Sequence, residues 1–395
     1  MWAYGITKNQ HNDLCKVDET LRTPSMGIHK IDVPIPRLKS GEVLVKVKAS
    51  ALNFNTLWSA RSFPLSPFQL IGKYVLRNPF DKDHIQDFAI FGSDASGIIT
   101  EVSDNVDKWK VGDEVVIHCN VVDTSDPIVQ TDGMLTDSQA IWGYETNYGA
   151  FAEYTRVKAT QLIKKPKHIS WEVAASFCLT HSTAYRMLCT DNGIRIQPGD
   201  HCLVWGASGG LGTFATQLIS LMGGVPVAIV STASKEKICK DMGCPIVINL
   251  QEHGLGKFVD DRGEPNYMEW RKLKNVLEKK GAKKINYIFE HIGRNTLGVS
   301  IYLLEKGGSV VICAATSGYL ATIDLRFLWM NCKSIVGSHF SNYYEASQAA
   351  DLIFNNKIKP IIHSYTSIDT LPIYADLMYN SNGFGKYVFN HDLES

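Results

Sequence analysis

Apolar and polar residues alternate over residues 41–52, where Val43, Val45, Val47 and Ala49 fall on one face, and this spacing predicts a half-buried strand. Strand-like pieces separated by Gly-Asp turns continue through Gly97-Ile98-Ile99-Thr100 and Val111-Gly112-Asp113-Glu114-Val115-Val116-Ile117. The first 165 or so residues therefore read as mainly β. From Trp171 the texture changes to alternating helices and short apolar runs. Helices are expected over 171–191, 211–223 and 234–242, and strands over 202–205, 226–230, 246–249, 286–289, 309–313 and 334–338. That alternation is the α/β signature of a parallel sheet. Residues 251–275 are charged and turn-rich, end in a possible helix, and read as an insertion between strands. A helix over Glu345 to Phe354 and short strand-like pieces close the chain, with no internal repeat.

The junction between the first apolar run and the helix after it carries the strongest chemical signal. Trp205-Gly206-Ala207-Ser208-Gly209-Gly210-Leu211-Gly212 follows Cys202-Leu203-Val204 and opens a helical pattern of Leu211, Phe214, Ala215, Leu218, Ile219 and Met222. Strand, glycine turn and helix form a pyrophosphate cradle. Glycines admit the phosphates to the backbone, and the free amides of the helix N-terminus face their charge. Gly206, Ser208, Gly209, Gly210, Leu211 and Gly212 are the expected contacts, and the run Val225 to Val230 follows at βαβ distance.

The end of that next run selects the cofactor. An NAD site usually places Asp or Glu there for the ribose 2′-hydroxyl. Here the residues are Ser231-Thr232-Ala233-Ser234-Lys235, with no carboxylate before Glu236. The hydroxyls of Ser231 and Ser234 and the ammonium of Lys235 suit a 2′-phosphate, so NADPH is expected. The plainer alternative is that Ser234 and Lys235 begin a surface helix.

Composition narrows the partners. The 395 residues suffice for two domains, and 40 basic residues balance 40 acidic ones, leaving no strong field for nucleic acid or membrane. No run of 18 apolar residues occurs, and Met1 to Asn12 lacks the apolar core of a signal peptide. Nine cysteines stand singly without a CxxC pair, which reads as reduced, mostly buried thiols in a cytoplasmic protein.

A β-rich unit followed by a dinucleotide fold resembles the medium-chain dehydrogenase/reductases, whose last segment returns to the first domain. That likeness implies a GroES-like catalytic domain over 1–167 and 341–395 and a doubly wound, Rossmann-type NADPH-binding domain over 168–340. The zinc-dependent branch carries Gly-His-Glu where this chain has Gly92-Ser93-Asp94, and it carries a cysteine cluster absent here, so a metal-free reductase is expected.

Five blocks in order take the likeness further. They are Asn53-Phe54-Asn55-Thr56-Leu57-Trp58, Trp142-Gly143-Tyr144-Glu145-Thr146-Asn147, Leu203 to Gly212, Phe289-Glu290-His291-Ile292-Gly293-Arg294 and Gly337-Ser338-His339-Phe340. Together they resemble the crotonyl-CoA carboxylase/reductase family, from about residue 30 to the end, with a shorter N-terminus than typical members. The resemblance implies hydride transfer from NADPH to C3 of an enoyl-CoA or enoyl carrier-protein thioester. The C2 enolate then captures carbon dioxide as co-substrate, giving an alkylmalonyl thioester, or takes a proton.

The roles it implies fall on Asn53 or Asn55, with Asn55 favoured, and on Tyr144, Glu145 and His339. An Asn amide would donate to a carbon dioxide oxygen as charge develops. Glu145 would orient His339, and the aromatic residue would exclude water. Two departures stand out: Tyr144 replaces the family's usual Phe and adds a phenol that can supply a proton, and Ile292 replaces a common Pro. Thr183 is expected near the nicotinamide, Thr316 and Ser317 against the cofactor, and Arg326 or Lys333 near CoA phosphates. A homodimer or homotetramer is implied. The alternatives are a reductase without carboxylation and an NADPH-binding protein without turnover.

Overall fold

The apolar runs of the second half assemble into one six-stranded parallel sheet in a computed structural model that describes residues 1–392. The strands are β11 (His201–Trp205), β12 (Val225–Val230), β13 (Ile246–Asn249), β14 (Tyr287–Glu290), β15 (Ser309–Ile312) and β16 (Ser334–Gly337). Their order across the sheet is β13-β12-β11-β14-β15-β16, the doubly wound arrangement in which the winding reverses between β11 and β14. Ligands enter such sheets at the carboxyl ends of the strands beside that reversal.

Helices cover the sheet: α7 (Gly210–Leu221), α8 (Ala233–Asp241), α9 (Tyr267–Lys279), α10 (Leu297–Leu303) and α11 (Leu325–Trp329). α7 turns Phe214, Ala215, Leu218 and Ile219 inward, while Trp205, Trp270, Leu273 and Ile288 fill a core under α9 and α10. The charged stretch expected as an insertion does lie between β13 and β14, and its helix runs on to Lys279 because Val276 and Leu277 continue the apolar stripe.

Contacts divide the chain into one unit of Met1–Leu179, Asn342–Phe354 and Pro360–Ser395 and a second of Thr180–Ser341 and Asn355–Lys359. Residues 393–395, the last of the segment expected to return to the first domain, lie outside the described residues.

The first unit is built on a seven-stranded sheet. Its order is β10 (Leu162–Lys164), β6 (Glu114–Ile117), β5 (Ala95–Val102), β3 (Glu42–Ala51), β18 (Lys386–Asn390) and β17 (Ile362–Ser367), and β9 (Tyr154–Lys158) pairs with β3. A second sheet sets β1 (Trp2–Thr7) between β2 (His29–Asp32) and β4 (Phe88–Ile90), and β7 (Asn120–Val121) pairs with β8 (Ala140–Ile141). Helices α1 (Lys8–Leu14), α4 (Val129–Asp132), α12 (Tyr343–Phe354) and α13 (Leu371–Tyr379) complete its surface.

Two features depart from the sequence reading. The mainly β half contains α2 (Phe54–Arg61) and α3 (Pro67–Arg77). α3 opens with a Ser66–Gln69 capping box and Pro67, then buries Leu70, Ile71, Tyr74 and Val75 at helical spacing. The helix expected over 171–191 is broken into α5 (Trp171–Ala175) and α6 (Cys178–Cys189). The break gives the Leu179 amide to the Asp94 carboxylate at 2.7 Å, a cap supplied from a distant strand.

Candidate active site

The cradle after β11 is shaped by what its glycines exclude. Gly206 has φ +56°, and a Cβ there would come within 3.1 Å of the His291 ring. A Cβ on Gly212 would come within 2.3 Å of the Gly206 carbonyl oxygen, so α7 packs against the turn only without a side chain. Gly209 caps α7, and the first-turn amides of Gly210, Leu211 and Gly212 receive no acceptor from their own helix. Ser208 is buried in the same turn, and Leu211 is half-buried. Open backbone and free amides together fit a dinucleotide pyrophosphate.

Across the sheet reversal, β14 ends in Glu290, which is fully buried. Its carboxylate accepts from the amides of Ile292 (2.7 Å) and Gly293 (3.2 Å) and from the hydroxyls of Thr296 (3.0 Å) and Ser300 (2.9 Å). Burial raises its pKa against those donors. His291 donates Nε2 to the Trp205 carbonyl at 2.9 Å, which leaves Nδ1 as the acceptor of a neutral ring. Burial lowers its pKa and favours that neutral form. Sequence reading gave His291 no role, although it borders Gly206.

Thr316 and Ser317 follow β15, as expected, but their hydroxyls tie that loop to the neighbouring one. Thr316 Oγ1 donates to the His291 carbonyl at 3.3 Å and Ser317 Oγ to the Ile292 carbonyl at 2.7 Å. Arg326 and Lys333 are also engaged internally, the first with Asp324 at 2.7 Å and the second with the Ile301 carbonyl at 2.7 Å.

At the carboxyl end of β12, Lys235 Nζ donates to Ser231 Oγ at 3.2 Å, and Ser234 Oγ lies 3.0 Å from Thr232 Oγ1. Partial burial lowers the Lys235 pKa. Hydroxyls and an ammonium thus gather at the end of β12, a set of groups that could hold a 2′-phosphate. Removing the ammonium in Lys235→Ala is expected to reduce the NADPH-over-NADH preference about tenfold or more, the worth of one hydrogen bond to a charged group. Steady-state kinetics with both dinucleotides measures this; an unchanged ratio would reject the assignment.

In the first unit the two candidate asparagines differ sharply. Asn53 is buried and internally committed: Nδ2 donates to Asp94 Oδ2 at 2.9 Å, and Oδ1 accepts from Lys386 Nζ at 2.6 Å. Asn55, on the first turn of α2, donates Nδ2 to Ser93 Oγ at 2.9 Å, while its Oδ1 is buried with no hydrogen-bond partner. Each amide nitrogen thus keeps one hydrogen, but that of Asn53 is buried within the fold, whereas Asn55 is half-buried.

Tyr144 lies in the turn after β8, its ring 6.4 Å from that of Trp58, which packs edge-on against Phe54. Burial, assisted by the Glu145 charge, pushes its pKa up to about 12, so the phenol stays protonated at neutral pH. Glu145 Oε2 accepts from the Ile141 amide at 2.9 Å, and Oε1 lies 3.9 Å from the Arg77 guanidinium. Oε2 thus caps the turn, which leaves Oε1 for further contact. In the second unit, His339 is exposed just beyond the carboxyl end of β16, and Thr183 is buried on α6.

Gly92-Ser93-Asp94 holds no histidine, and the Asp94 carboxylate pairs with Lys386 at 3.0 Å. Among the described residues no group of three or more His, Cys, Asp or Glu side chains could hold a metal ion. Nor is any described helix long and apolar enough to cross a membrane.

Comparison with known proteins gives this geometry its context. The family model of the alcohol dehydrogenase GroES-like domain matches residues 39–167, and that of zinc-binding dehydrogenases matches 210–355. A crotonyl-CoA reductase of Streptomyces collinus is 42% identical over 93% of this chain and 82% of its own. A crotonyl-CoA carboxylase/reductase of Cereibacter sphaeroides is 39% identical over 96% of this chain and 85% of its own. The solved 2-octenoyl-CoA carboxylase reductase CinF, in complex with NADP and 2-octenoyl-CoA, has a TM-score of 0.92 at 37% identity, covering 98% of this chain and 87% of that one.

Proposed function

This chain belongs to the crotonyl-CoA carboxylase/reductase family, and from that membership we propose how its own residues divide the work of reductive carboxylation. The protein is an NADPH-dependent oxidoreductase that converts an α,β-unsaturated acyl-CoA and carbon dioxide into an alkylmalonyl-CoA. Bound NADPH supplies the hydride taken up at C3 of the enoyl thioester, which leaves nucleophilic character at C2.

The chain's own task is then to present carbon dioxide to C2 and to withhold protons. The observation that carries this reading is the contrast between Asn53 and Asn55. Asn53 is 4% exposed with both ends of its amide engaged inside the fold, whereas Asn55 is half-buried with its amide nitrogen fixed by Ser93. Its Nδ2 carries a second hydrogen for a carbon dioxide oxygen as negative charge grows there. His339 supplies a further donor, Glu145 sets its orientation, and Trp58 and Tyr144 keep water from the enolate. On the cofactor side, the amides of Gly210 to Gly212 hold the pyrophosphate, Ser231, Ser234 and Lys235 the 2′-phosphate, and Thr183, Thr316 and Ser317 border the nicotinamide half.

NADPH oxidation with crotonyl-CoA and with 2-octenoyl-CoA tests the reading, run with and without bicarbonate plus carbonic anhydrase and with products identified by mass. Alkylmalonyl product dependent on carbon dioxide is expected. Saturated product alone would reject the carboxylation pocket. Tyr144→Phe removes the phenol and is expected to raise the alkylmalonyl-to-saturated ratio about threefold, and with it the carboxylated fraction, a change under 1 kcal/mol in the competing barriers. A fraction that stays level or falls would refute proton donation by Tyr144.

We also propose a homodimer through β16. It is an edge strand, and Ile335, Trp329 and Met330 beside it are exposed. The nine cysteines are free thiols, five of them buried, which supports a reducing cytoplasmic setting.

A further inference from the structure

A buried cation stands behind the proposed carbon dioxide contact. Lys386, 1% exposed at the start of β18, donates to Asn53 Oδ1 at 2.6 Å, to Asp94 Oδ2 at 3.0 Å and to the Leu52 carbonyl at 3.2 Å. Asp94, also fully buried, takes the Asn53 amide and the Leu179 amide as well. Every strong acceptor around the ammonium is thus matched, as a buried ion pair requires.

We infer that Lys386 and Asp94 are positioning residues that fix Asn55 for carbon dioxide capture, an inference that rests on Asn55 having that role. Two routes connect the pair to Asn55. Lys386 clamps Leu52 and Asn53, and Asn53 is the residue from which α2 starts, two positions before Asn55. Asp94 anchors the adjacent Ser93, whose hydroxyl accepts from Asn55 Nδ2. The Leu52 amide also donates to the Tyr387 carbonyl at 3.0 Å, so backbone and side chain of β18 grip the same loop. The segment entering α2 and the segment holding the amide's partner are therefore both referred to one ion pair. Where the zinc branch carries a His-Glu pair, this chain carries Ser93-Asp94 and balances the carboxylate with an organic cation.

An amide aimed at a small, uncharged molecule depends steeply on placement. Hydride transfer to C3 does not use that amide. Loss of the clamp should therefore appear in the product ratio and in the KM for carbon dioxide, rather than in NADPH oxidation.

The test compares Lys386→Met, the double variant Asp94→Asn/Lys386→Met, and Asn55→Ala. Lys386→Met strands the Asp94 charge and risks misfolding, whereas the double variant removes both charges and keeps an acceptor for the Leu179 amide. The product ratio is set by active molecules alone, so a poorly yielding variant still reports. The alkylmalonyl-to-saturated ratio at limiting carbon dioxide is expected to fall about tenfold or more in the double variant, within the cost of an ångström-scale misplacement. The KM for carbon dioxide should rise, with kcat for NADPH oxidation within about threefold of the parent. A folded double variant that keeps the parent ratio, while Asn55→Ala loses it, would overturn the positioning role and leave the Asn55 reading standing. An unchanged ratio in Asn55→Ala would overturn both.

Discussion

Alanine at Gly212 is expected to weaken NADPH binding about a hundredfold or more, equivalent to some 2.7 kcal/mol. Its Cβ would stand 2.3 Å from the Gly206 carbonyl oxygen and 2.7 Å from the Ala207 Cα, contacts that no rotamer change relieves. Neither neighbour is free to retreat. The Gly206 carbonyl accepts from the Gly209 amide at 2.9 Å, and the Ala207 amide donates to the Ile229 carbonyl at 3.2 Å. The helix must move instead, carrying the amides of Gly210, Leu211 and Gly212 off the phosphate position and loosening Phe214 and Leu218 against the sheet. Overpacking of this kind costs about 1–3 kcal/mol in stability by itself. Titration with NADPH beside a thermal melt separates the two effects. Gly72→Ala is the matched control, because a Cβ there meets nothing within 4 Å and an exchange of Gly for Ala inside a helix is neutral or favourable. Parent-like affinity in Gly212→Ala would remove the glycine turn from the cofactor site.

The cofactor-binding half was legible because its signals are local. A parallel strand buried on both faces reads as an unbroken apolar run, and the expected 202–205 and 246–249 lie within β11 and β13. The glycine turn likewise needs only its own residues. The first half was harder. α2 and α3 interrupt the alternation from which a mainly β region was expected, although Ser66, Pro67 and Gln69 followed by Leu70, Ile71, Tyr74 and Val75 do spell a capped amphipathic helix. No such signal marks the break between α5 and α6. Phe177 and Cys178 continue the apolar pattern, and the cap comes from Asp94, 85 positions away from Leu179.

The same locality limit governed the site residues. Asn53 and Asn55 are chemically identical in sequence. What separates them is Lys386, 333 positions from Asn53 and brought to it only by pairing of β18 with β3. The hydroxyls of Thr316 and Ser317 lie where the run ending at Cys313 predicted, but their bonds to the loop after β14 depend on the sheet order. Glu145 was expected as a charged partner for a histidine, and one of its oxygens is spent on the turn. A residue type tells what a side chain can do. Its remaining capacity is fixed by contacts far away in the chain.

His339→Asn is expected to lower the alkylmalonyl-to-saturated ratio on the order of a hundredfold, the usual worth of one donor to charge that develops only in the transition state. Carboxylation and protonation compete for the same enolate, so the ratio reports the difference between two barriers and cancels errors in active-enzyme concentration. Glu145→Gln should produce a smaller fall. Gln can still accept from the Ile141 amide, which preserves the turn, but it removes the charge that would hold the imidazole and that faces Arg77. Glu145→Ala would lose the turn as well, and so cannot separate orientation from folding. If Glu145 acts through His339, the double variant His339→Asn/Glu145→Gln should be no worse than His339→Asn alone, because coupled groups fail to add. Additive losses would assign Glu145 an independent role. A parent-like ratio in His339→Asn would exclude the imidazole from carbon dioxide capture, leaving the task to Asn55.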